Sequence, residues 1–290
     1  DDTLAYYQGL SSQLKQLPFA VGIKGQLDLQ RGKTRSALDK ITIAYEASPS
    51  PHNAGLMLAV KLSNEESRNT HHRIEYNHFS NRPRLGSNGG ETLRIGTSHY
   101  SLSNSFTVVE NNYFDRCDGE VEIISIKSGQ NKIRKNVFFE SRGTLTLRHG
   151  NGNLIEENIF FGNGVDHTGG IRVINKDQVV RNNYLEGLTG YRFGSGFTIM
   201  NGVPNSPVNR YVQVSNARID GNTILDSRRI TLGAGADEER SAPPVDSTFS
   251  RNLLSSSGAG TFIEVDADIS GIEFSDNRLL SGKVHSALAA

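Results

Sequence analysis

The sequence predicts an all-β protein, a single-stranded right-handed parallel β-helix with an N-terminal capping helix. Three observations carry this prediction. The 290 residues include 30 glycines, 8 prolines and no tryptophan, which is typical of a turn-rich β protein. From about residue 55, a motif of alternating residues, an asparagine and an apolar or aromatic pair recurs. Its shortest spacings, 22 to 25 residues, match one β-helix coil of short strands.

The N-terminal segment, residues 1–35, differs from the rest and is predicted to be a cap. Within Thr3–Leu17, large apolar residues recur at helical intervals before Pro18: Leu4, Tyr7, Leu10, Leu14 and Leu17. The first coil of a solenoid needs its apolar face covered, so this amphipathic helix is expected to cover it. A partner-binding helix is the alternative. Residues 36–290 are then the β-helix catalytic domain, with a first strand at Leu38–Tyr45.

The repeats predict both the interior and the bends of the coils. The recurring asparagines are Asn77, Asn112, Asn136, Asn158, Asn183, Asn222, Asn252 and Asn277. We expect them to stack as a hydrogen-bonded ladder, each in a left-handed conformation at a bend. The apolar residues expected to form an inward column are Ile74, Val109, Ile133, Ile155, Val180 and Ile219. A leucine-rich repeat would show a regular LxxLxL pattern, and a propeller blade needs about 40 residues, so neither fits.

Composition and charge limit the partners. The 31 basic and 31 acidic side chains balance, so neither a nucleic acid nor a membrane surface is an expected partner. No apolar run approaches the roughly 18 to 20 residues of a membrane span. The single cysteine, Cys117, excludes an internal disulfide framework and is expected to be a small buried filler. The first residues lack signal-peptide features, which suits a mature secreted or periplasmic protein, although a cytoplasmic one fits equally. The oligomeric state stays open.

Residues one coil apart become neighbours in a β-helix, and this gathers polar residues on one outward face. Lys127 and Arg148 are 21 residues apart, about one coil, so we expect them side by side. Glu120 and Glu122 share a face of the preceding segment. The polar residues expected nearby are Asn88, Glu91, Arg94, His149 and Arg172. Carboxylate and amide oxygens suit Ca²⁺. Like charge disfavours the ammonium form of a lysine beside arginines, making Lys127 a candidate general base.

The chain also resembles a known family in six long segments. They are RPRLGSNGGETLRIGTS (82–98), DGEVEIISIKS (118–128), GTLTLRHGNGN (143–153), FFGNGVDHTGGIRVI (160–174), MNGVPNSPVNRY (200–211) and LGAGADEER (232–240). These segments resemble the alginate lyase and chondroitinase B family, polysaccharide lyase family 6, whose members are right-handed parallel β-helix enzymes.

The resemblance implies Ca²⁺-assisted β-elimination in a uronate-containing acidic polysaccharide, giving 4,5-unsaturated uronate ends. By motif, Lys127 matches the base and Arg148 the acid. The residues that match calcium ligands are Asn88, Glu120 and Glu122. The residues that match substrate-binding positions are Arg94, His149, Arg172 and Tyr211. Residues 1–50 do not match the early coils expected of the family, and Ile126 stands where a polar residue is expected.

The same residues allow functions other than that of an alginate lyase. The first alternatives are a dermatan sulfate (chondroitin B) lyase and a non-catalytic β-helix module that binds an acidic polysaccharide. A lysine base argues against the module, since binding alone needs no base. A pectin-type hydrolase would need clustered aspartates, which are scarce around the outward face. Separately, Tyr191, Arg192 and Phe193 could form an aromatic and basic sugar platform, with core packing of Phe193 as the alternative.

Overall fold

The structure is a computed structural model that describes residues 58–86 and 88–288. Within them, 25 short strands follow one another with only three 3₁₀ helices, at Ser98–Tyr100, Arg192–Gly194 and Ser286–Leu288. The predicted cap over residues 1–35 and the predicted strand at Leu38–Tyr45 lie outside the described residues. No helix in the described ranges is long and apolar enough to cross a membrane.

Three parallel sheets run the length of the solenoid, and the chain visits them in turn, once per coil. Sheet 1 contains β1 (Leu58–Val60), β4 (Leu93–Gly96), β7 (Glu122–Lys127), β10 (Gly143–His149), β13 (Thr168–Val173), β16 (Phe197–Met200), β19 (Ile230–Ala234), β22 (Thr261–Val265) and β25 (Lys283–Val284). Sheet 2 contains β2 (Arg73–Glu75), β5 (Val108–Glu110), β8 (Lys132–Arg134), β11 (Leu154–Glu156), β14 (Val179–Arg181), β17 (Arg218–Asp220), β20 (Ser247–Ser250) and β23 (Ile272–Ser275).

Sheet 3 completes each coil. It contains β3 (His78–Arg82), β6 (Tyr113–Cys117), β9 (Val137–Phe139), β12 (Ile159–Phe161), β15 (Tyr184–Glu186), β18 (Thr223–Ser227), β21 (Leu253–Ser256) and β24 (Arg278–Ser281). Every strand pairs in parallel with the strand one coil away, as in the pairing of β7 with β10. Parallel crossovers are right-handed. The fold is the right-handed parallel β-helix that the sequence predicts.

The middle residue of each short strand points inward and builds the core. The predicted column is confirmed: Ile74, Val109, Ile133, Ile155, Val180 and Ile219 are directly paired from coil to coil and at most 2% exposed. In sheet 3, Phe79, Phe114, Phe138 and Phe160 stack with ring centroids 4.3 to 4.9 Å apart. Cys117 is fully buried, as expected, and burial raises the pKa of its thiol to about 12.

The asparagine ladder is also confirmed. It runs unbroken from Asn77 to Asn277, and each side-chain oxygen accepts from both the main-chain N–H and the side-chain amide of the preceding rung. The left-handed prediction is wrong by one residue, because the residue before each rung takes that conformation, as Tyr76 (φ 59°) and Lys135 (φ 55°) do. That residue makes the bend between sheets 2 and 3, and the asparagine that follows is left free to point inward.

Sheet 1 carries the site because its middle strands are longer than those of the other sheets. β7 has six residues and β10 has seven, whereas β8 and β9 have three each. A longer strand presents several outward side chains in place of one or two. The outward column of paired residues in sheet 1 is Arg94, Ser125, Thr146, Arg172 and Thr198.

Candidate active site

Three glutamates meet on the outside of sheet 1, where β4 and β7 begin. Glu91 lies just before β4, Glu120 just before β7, and Glu122 is the first residue of β7. One carboxylate oxygen from each lies within 4.8 Å of the other two. Two glycines bring these segments together: a Cβ added at Gly119 would lie 2.0 Å from the Gly90 carbonyl oxygen. The Arg82 Nε also donates to that carbonyl at 2.7 Å, which fixes the stack.

The cluster of Glu91, Glu120 and Glu122 has the character of a cation site. Burial, together with the charges of Glu91 and Glu122, raises the pKa of Glu120 to about 8. The buried Oε2 atom of Glu91 has no hydrogen-bond partner among the described residues. Grouped carboxylate oxygens are the hard ligands that Ca²⁺ prefers. The residues present therefore fit a divalent hard cation, which would relieve the mutual repulsion that raises the Glu120 pKa.

Four cationic side chains approach this cluster. Lys127 Nζ lies 3.6 Å from Glu91 Oε1, and an Arg94 guanidinium nitrogen lies 3.9 Å from the same oxygen. Arg148 Nε lies 3.9 Å from Glu122 Oε1. The fully buried Arg172 forms an ion pair with Glu122, whose other oxygen accepts from the Ser125 hydroxyl. Lys127 and Arg148 thus approach the carboxylates through different glutamates.

A register shift sets the arrangement of Lys127, Arg148 and His149. β7 and β10 pair without interruption at Ser125 and Thr146, but one extra residue follows in β10, so His149 lies opposite Lys127. A bulge of this kind redirects side chains, and bulges are common beside active sites. His149 is 2% exposed, and its Nδ1 has no partner among the described groups. Burial, then the charges of Arg148 and Lys127, lowers the pKa of His149 to about 3, so the imidazole is neutral.

The loop between β16 and β17 holds Arg148 from the other side. The Arg148 guanidinium lies over the Tyr211 ring, 4.2 Å from its centroid, and Nη1 donates to the Arg210 carbonyl at 2.9 Å. Burial lowers the pKa of Arg148. Tyr211 in turn packs with Phe193 against the small apolar cluster of Ile174, Met200 and Ala234. Arg148 is therefore positioned by a ring, a carbonyl and a carboxylate.

The structure brings eight of the nine predicted site residues into one region. Seven of them are linked by the contacts above: Lys127, Arg148, Arg94, Arg172, Tyr211, Glu120 and Glu122. His149 joins them through the two charges that lower its pKa. Asn88 lies in an exposed turn three residues before Glu91, and no hydrogen bond of the described residues joins it to the glutamates. Its role as a calcium ligand stays a prediction.

Two residues of this region, Glu91 and Arg240, are absent from the predicted metal-binding and substrate-binding sets. Glu91 was recognised as an outward polar residue but was not assigned to the metal set, although its motif GGE parallels the DGE of Glu120. Arg240 lies over both the Tyr211 ring (5.5 Å) and the Phe193 ring (5.9 Å), and it forms an ion pair with Asp237. The segment LGAGADEER, already singled out by resemblance, was the available signal for Arg240.

The chain is similar to several known proteins. The family model described as Chondroitinase B matches residues 29–287. The PL6 family alginate lyase AlyGC is similar at 67% identity and a TM-score of 0.77, over 78% of this chain and 31% of that chain. A mannuronic acid specific polysaccharide family 6 lyase enzyme from human gut microbiota is similar at 35% identity and a TM-score of 0.70, over 81% of this chain and 53% of that one.

A third solved structure, a PL6 alginate lyase in complex with a trisaccharide, is similar at 28% identity and a TM-score of 0.70, over 81% of this chain and 56% of that one. The chain thus spans about a third of the length of AlyGC and about half of the other two. A search of curated proteins gives no match. The family model matches nearly all of the described solenoid and also residues 29–57 before it. The chain therefore belongs to the chondroitinase B family of polysaccharide lyases.

Proposed function

We propose that the chain is the catalytic β-helix of a lyase that cleaves alginate by β-elimination. The observation that carries the proposal is the convergence of Lys127 and Arg148 on one cluster of three glutamates, on the outer face of sheet 1. Three of the similar solved proteins are named alginate lyases, which supports alginate over dermatan sulfate. A module that only binds polysaccharide would not need an amine held at such a cluster.

In the proposed reaction, the Lys127 amine removes the C5 proton of a uronate. The electron pair of the C5–H bond forms the C4–C5 double bond, the C4–O4 bond breaks, and O4 takes up a proton. Arg148 donates this proton to the departing O4, directly or through a bridging water, and is reprotonated from solvent. The Tyr211 ring, the Arg210 carbonyl and Glu122 hold the guanidinium in one orientation, so little reorganisation accompanies the reaction.

The cluster of Glu91, Glu120 and Glu122, with Asn88 as a further predicted ligand, would hold Ca²⁺. When bound, Ca²⁺ would supply positive charge beside the uronate carboxylate, where negative charge grows as the C5 proton leaves. Arg94 and Arg172 add fixed positive charge on the same outward column, three coils apart, with the short side chains of Ser125 and Thr146 between them. Neutral His149 is available as a hydrogen-bond partner for a sugar hydroxyl next to Lys127.

The polymer substrate also bears on location. Alginate chains are far too long to cross a membrane, so the enzyme must meet them outside the cytoplasm. We therefore extend the proposal to a secreted or periplasmic protein.

The test is a lyase assay with alginate and with dermatan sulfate, each in calcium and in chelator. The 4,5-unsaturated uronate absorbs in the ultraviolet, so product formation is followed directly. We expect absorbance to rise with alginate in calcium and to be largely lost in chelator. A rise with dermatan sulfate alone would reassign the substrate. No rise with either polymer, with binding retained, would leave a polysaccharide-binding module.

A further inference from the structure

A second feature lies beside the glutamate cluster. It is a cavity of about 470 Å³ on the edge of sheet 1 where the strands begin. Glu120 lines both the cavity and the cluster. The rest of the wall comes from turns of successive coils and carries three arginines, Arg84, Arg142 and Arg192, with Tyr191 and Phe193 beside them. The main chain of Lys127 and His149 lies at the opposite end of these strands, and the Lys127 amine reaches back to Glu91 of the cluster.

The three arginines of this cavity differ from most arginines of the solenoid. On sheet 2, Arg134 and Arg181 form ion pairs with Glu110 and Glu156. In the described ranges, by contrast, no carboxylate lies within ion-pair distance of the Arg84, Arg142 or Arg192 side chain. Asp118 also lines the cavity, and its carboxylate accepts the main-chain N–H of Arg142 at 2.9 Å. Burial raises the pKa of Asp118 to about 6, and the charge of Arg84 acts in the opposite direction. Arg142 and Arg192, whose guanidinium groups have no carboxylate partner among the described residues, therefore suit an anion, and the planar guanidinium suits a carboxylate.

The aromatic residues of the cavity are held by a tight loop. Gly190 and Gly194 approach so closely that a Cβ added at Gly190 would lie 1.9 Å from the Gly194 carbonyl oxygen. Arg192, between them, has a left-handed φ of 53°, and its carbonyl accepts from the hydroxyls of Ser195 (3.0 Å) and Thr198 (3.2 Å). Tyr191 remains 44% exposed, with the His167 ring 5.5 Å and the Arg228 guanidinium 5.8 Å from its centroid.

The same loop connects the cavity to the glutamate cluster. Phe193 lines the cavity and lies under the Arg172 guanidinium, 5.7 Å from its ring centroid. Arg172 in turn forms the buried ion pair with Glu122. A ligand that spans the cavity and the cluster would therefore meet one continuous surface, with an exposed ring and cationic groups at intervals.

From this geometry we infer that the cavity is an additional binding subsite for a uronate residue of the same polysaccharide chain, whose carboxylate is recognised by Arg142 and Arg192 and whose ring faces Tyr191. This inference rests on the proposed function, because it takes a polyuronate as the ligand. Under this inference, the polysaccharide is also bound at the N-terminal ends of the sheet 1 strands, in addition to the residues proposed to react.

The experiment measures binding without turnover. In the Lys127→Ala protein with calcium, titration calorimetry gives Kd for alginate oligomers of defined length. Arg142→Ala and Arg192→Asn, the latter because asparagine tolerates a left-handed φ, should each weaken hexamer binding about tenfold. Dimer binding should change less, since a dimer bound at the cluster occupies fewer sugar positions than a hexamer does. Carboxyl-reduced hexamer should bind equally to all these proteins. Arg218→Ala, an exposed arginine on sheet 2, is the matched control and should have no effect.

The outcomes separate this inference from the proposed function. Unchanged hexamer affinity in both cavity variants, with thermal stability retained, would overturn the subsite. An equal loss for dimer and hexamer would also overturn it, because that would indicate a general effect on the cluster. If no polymer is cleaved by the enzyme with Lys127 but the cavity variants still lose hexamer affinity, the lyase proposal fails and the subsite stands. Failure of every uronate oligomer to bind would refute both.

Discussion

Two regions of this molecule bury polar side chains, with opposite results. In the asparagine ladder, every rung between Asn77 and Asn277 is hydrogen-bonded to both neighbouring rungs, and none of the ladder's side-chain atoms is among the unpartnered ones of the described residues. On the outer face of sheet 1, the Glu91 Oε2, His149 Nδ1 and Arg172 Nε atoms are buried without partners. Burial also shifts the pKa of Glu120 upward and that of His149 downward.

The asparagine ladder stabilises the fold, whereas the outer face of sheet 1 holds groups suited to binding a ligand. A buried polar group whose hydrogen bonds are complete stabilises the fold, whereas one left incomplete opposes folding until a ligand completes it. The ladder therefore holds the coils in register. On the outer face of sheet 1, neighbouring coils bury such groups without completing their hydrogen bonds. Four predictions follow this contrast, from the largest expected effect to the smallest.

The largest effect is expected for Lys127→Ala. Loss of a general base lowers the rate by about 10²- to 10⁴-fold. The lysine lies on the outer face of sheet 1 and is outside the core cluster, so the free energy of unfolding should change by less than about 0.5 kcal/mol. The lyase assay and urea unfolding measure the two effects. Lys132→Ala, an exposed lysine of β8, is the matched control. An active Lys127→Ala enzyme would refute the assignment of the base.

The reverse pattern is expected for Asn158→Ala in the middle of the ladder. The substitution removes the acceptor of Asn136 and the donor to Asn183 and Ile133, so it should cost about 3 kcal/mol of unfolding free energy. Asn277→Ala, at the partly buried end of the ladder, should cost about 1 kcal/mol. Activity per folded molecule should not change in either variant. Equal losses of unfolding free energy at the two positions would show that the stabilisation by a rung does not depend on how deeply the rung is buried.

Calcium should stabilise the folded protein through the glutamate cluster. A ligand that binds only the native state at a hundred times its Kd adds about 2.7 kcal/mol. Thermal unfolding with calcium and with chelator measures this shift. In Glu120→Gln the calcium shift should be much smaller, because one ligand and one negative charge are lost. Glu157→Gln, on an exposed glutamate far from sheet 1, should keep the full shift. A full shift in Glu120→Gln would place the cation elsewhere.

The smallest effect expected is a pH dependence of stability in chelator. The folded-state pKa of Glu120, about 8, lies above its ordinary value of 4.5. The folded protein therefore binds this proton more tightly than the unfolded chain does. The contribution of protonated Glu120 to the free energy of unfolding is fully present below pH 4.5 and is lost as pH rises through about 8. Urea unfolding across this range should show a decline that calcium or Glu120→Gln reduces. A decline of equal size in Glu120→Gln would assign it to another group.

The repeated features were the ones that could be predicted from the sequence. The spacing of the asparagines predicted the ladder, and the column through Ile133 and Ile155 followed from the same register. The bend was misplaced by one residue because the motif marks the asparagine, whereas the left-handed position accepts residues as different as Tyr76 and Asp276. A recurring asparagine shows where side-chain hydrogen bonds repeat along the solenoid. It does not show which residue adopts the left-handed backbone conformation at the bend.

The site was predictable where coil spacing alone sets neighbours. That spacing predicted Lys127 and Arg148 side by side, and the two do lie on adjacent strands. The exact pairing was wrong, because an extra residue in β10 puts His149 opposite Lys127, and this local event has no periodic signal. Likewise, Glu91 joins the cluster because Gly90 and Gly119 allow two turns to touch, and this depends on contact between coils. Phe193 acts through a ring that lies under Arg172, a relation that no spacing encodes.

The ladder has a further consequence for how such an enzyme can diversify. Each rung presents the same donor and the same acceptor to the next, whether 22 residues separate them, as for Asn136 and Asn158, or 39, as for Asn183 and Asn222. The longest interval contains both the Tyr191–Phe193 loop and the loop that carries Tyr211. Substrate-facing loops can therefore lengthen, shorten or be exchanged between rungs without altering the frame. Specificity can change in such a solenoid while its architecture is inherited unchanged.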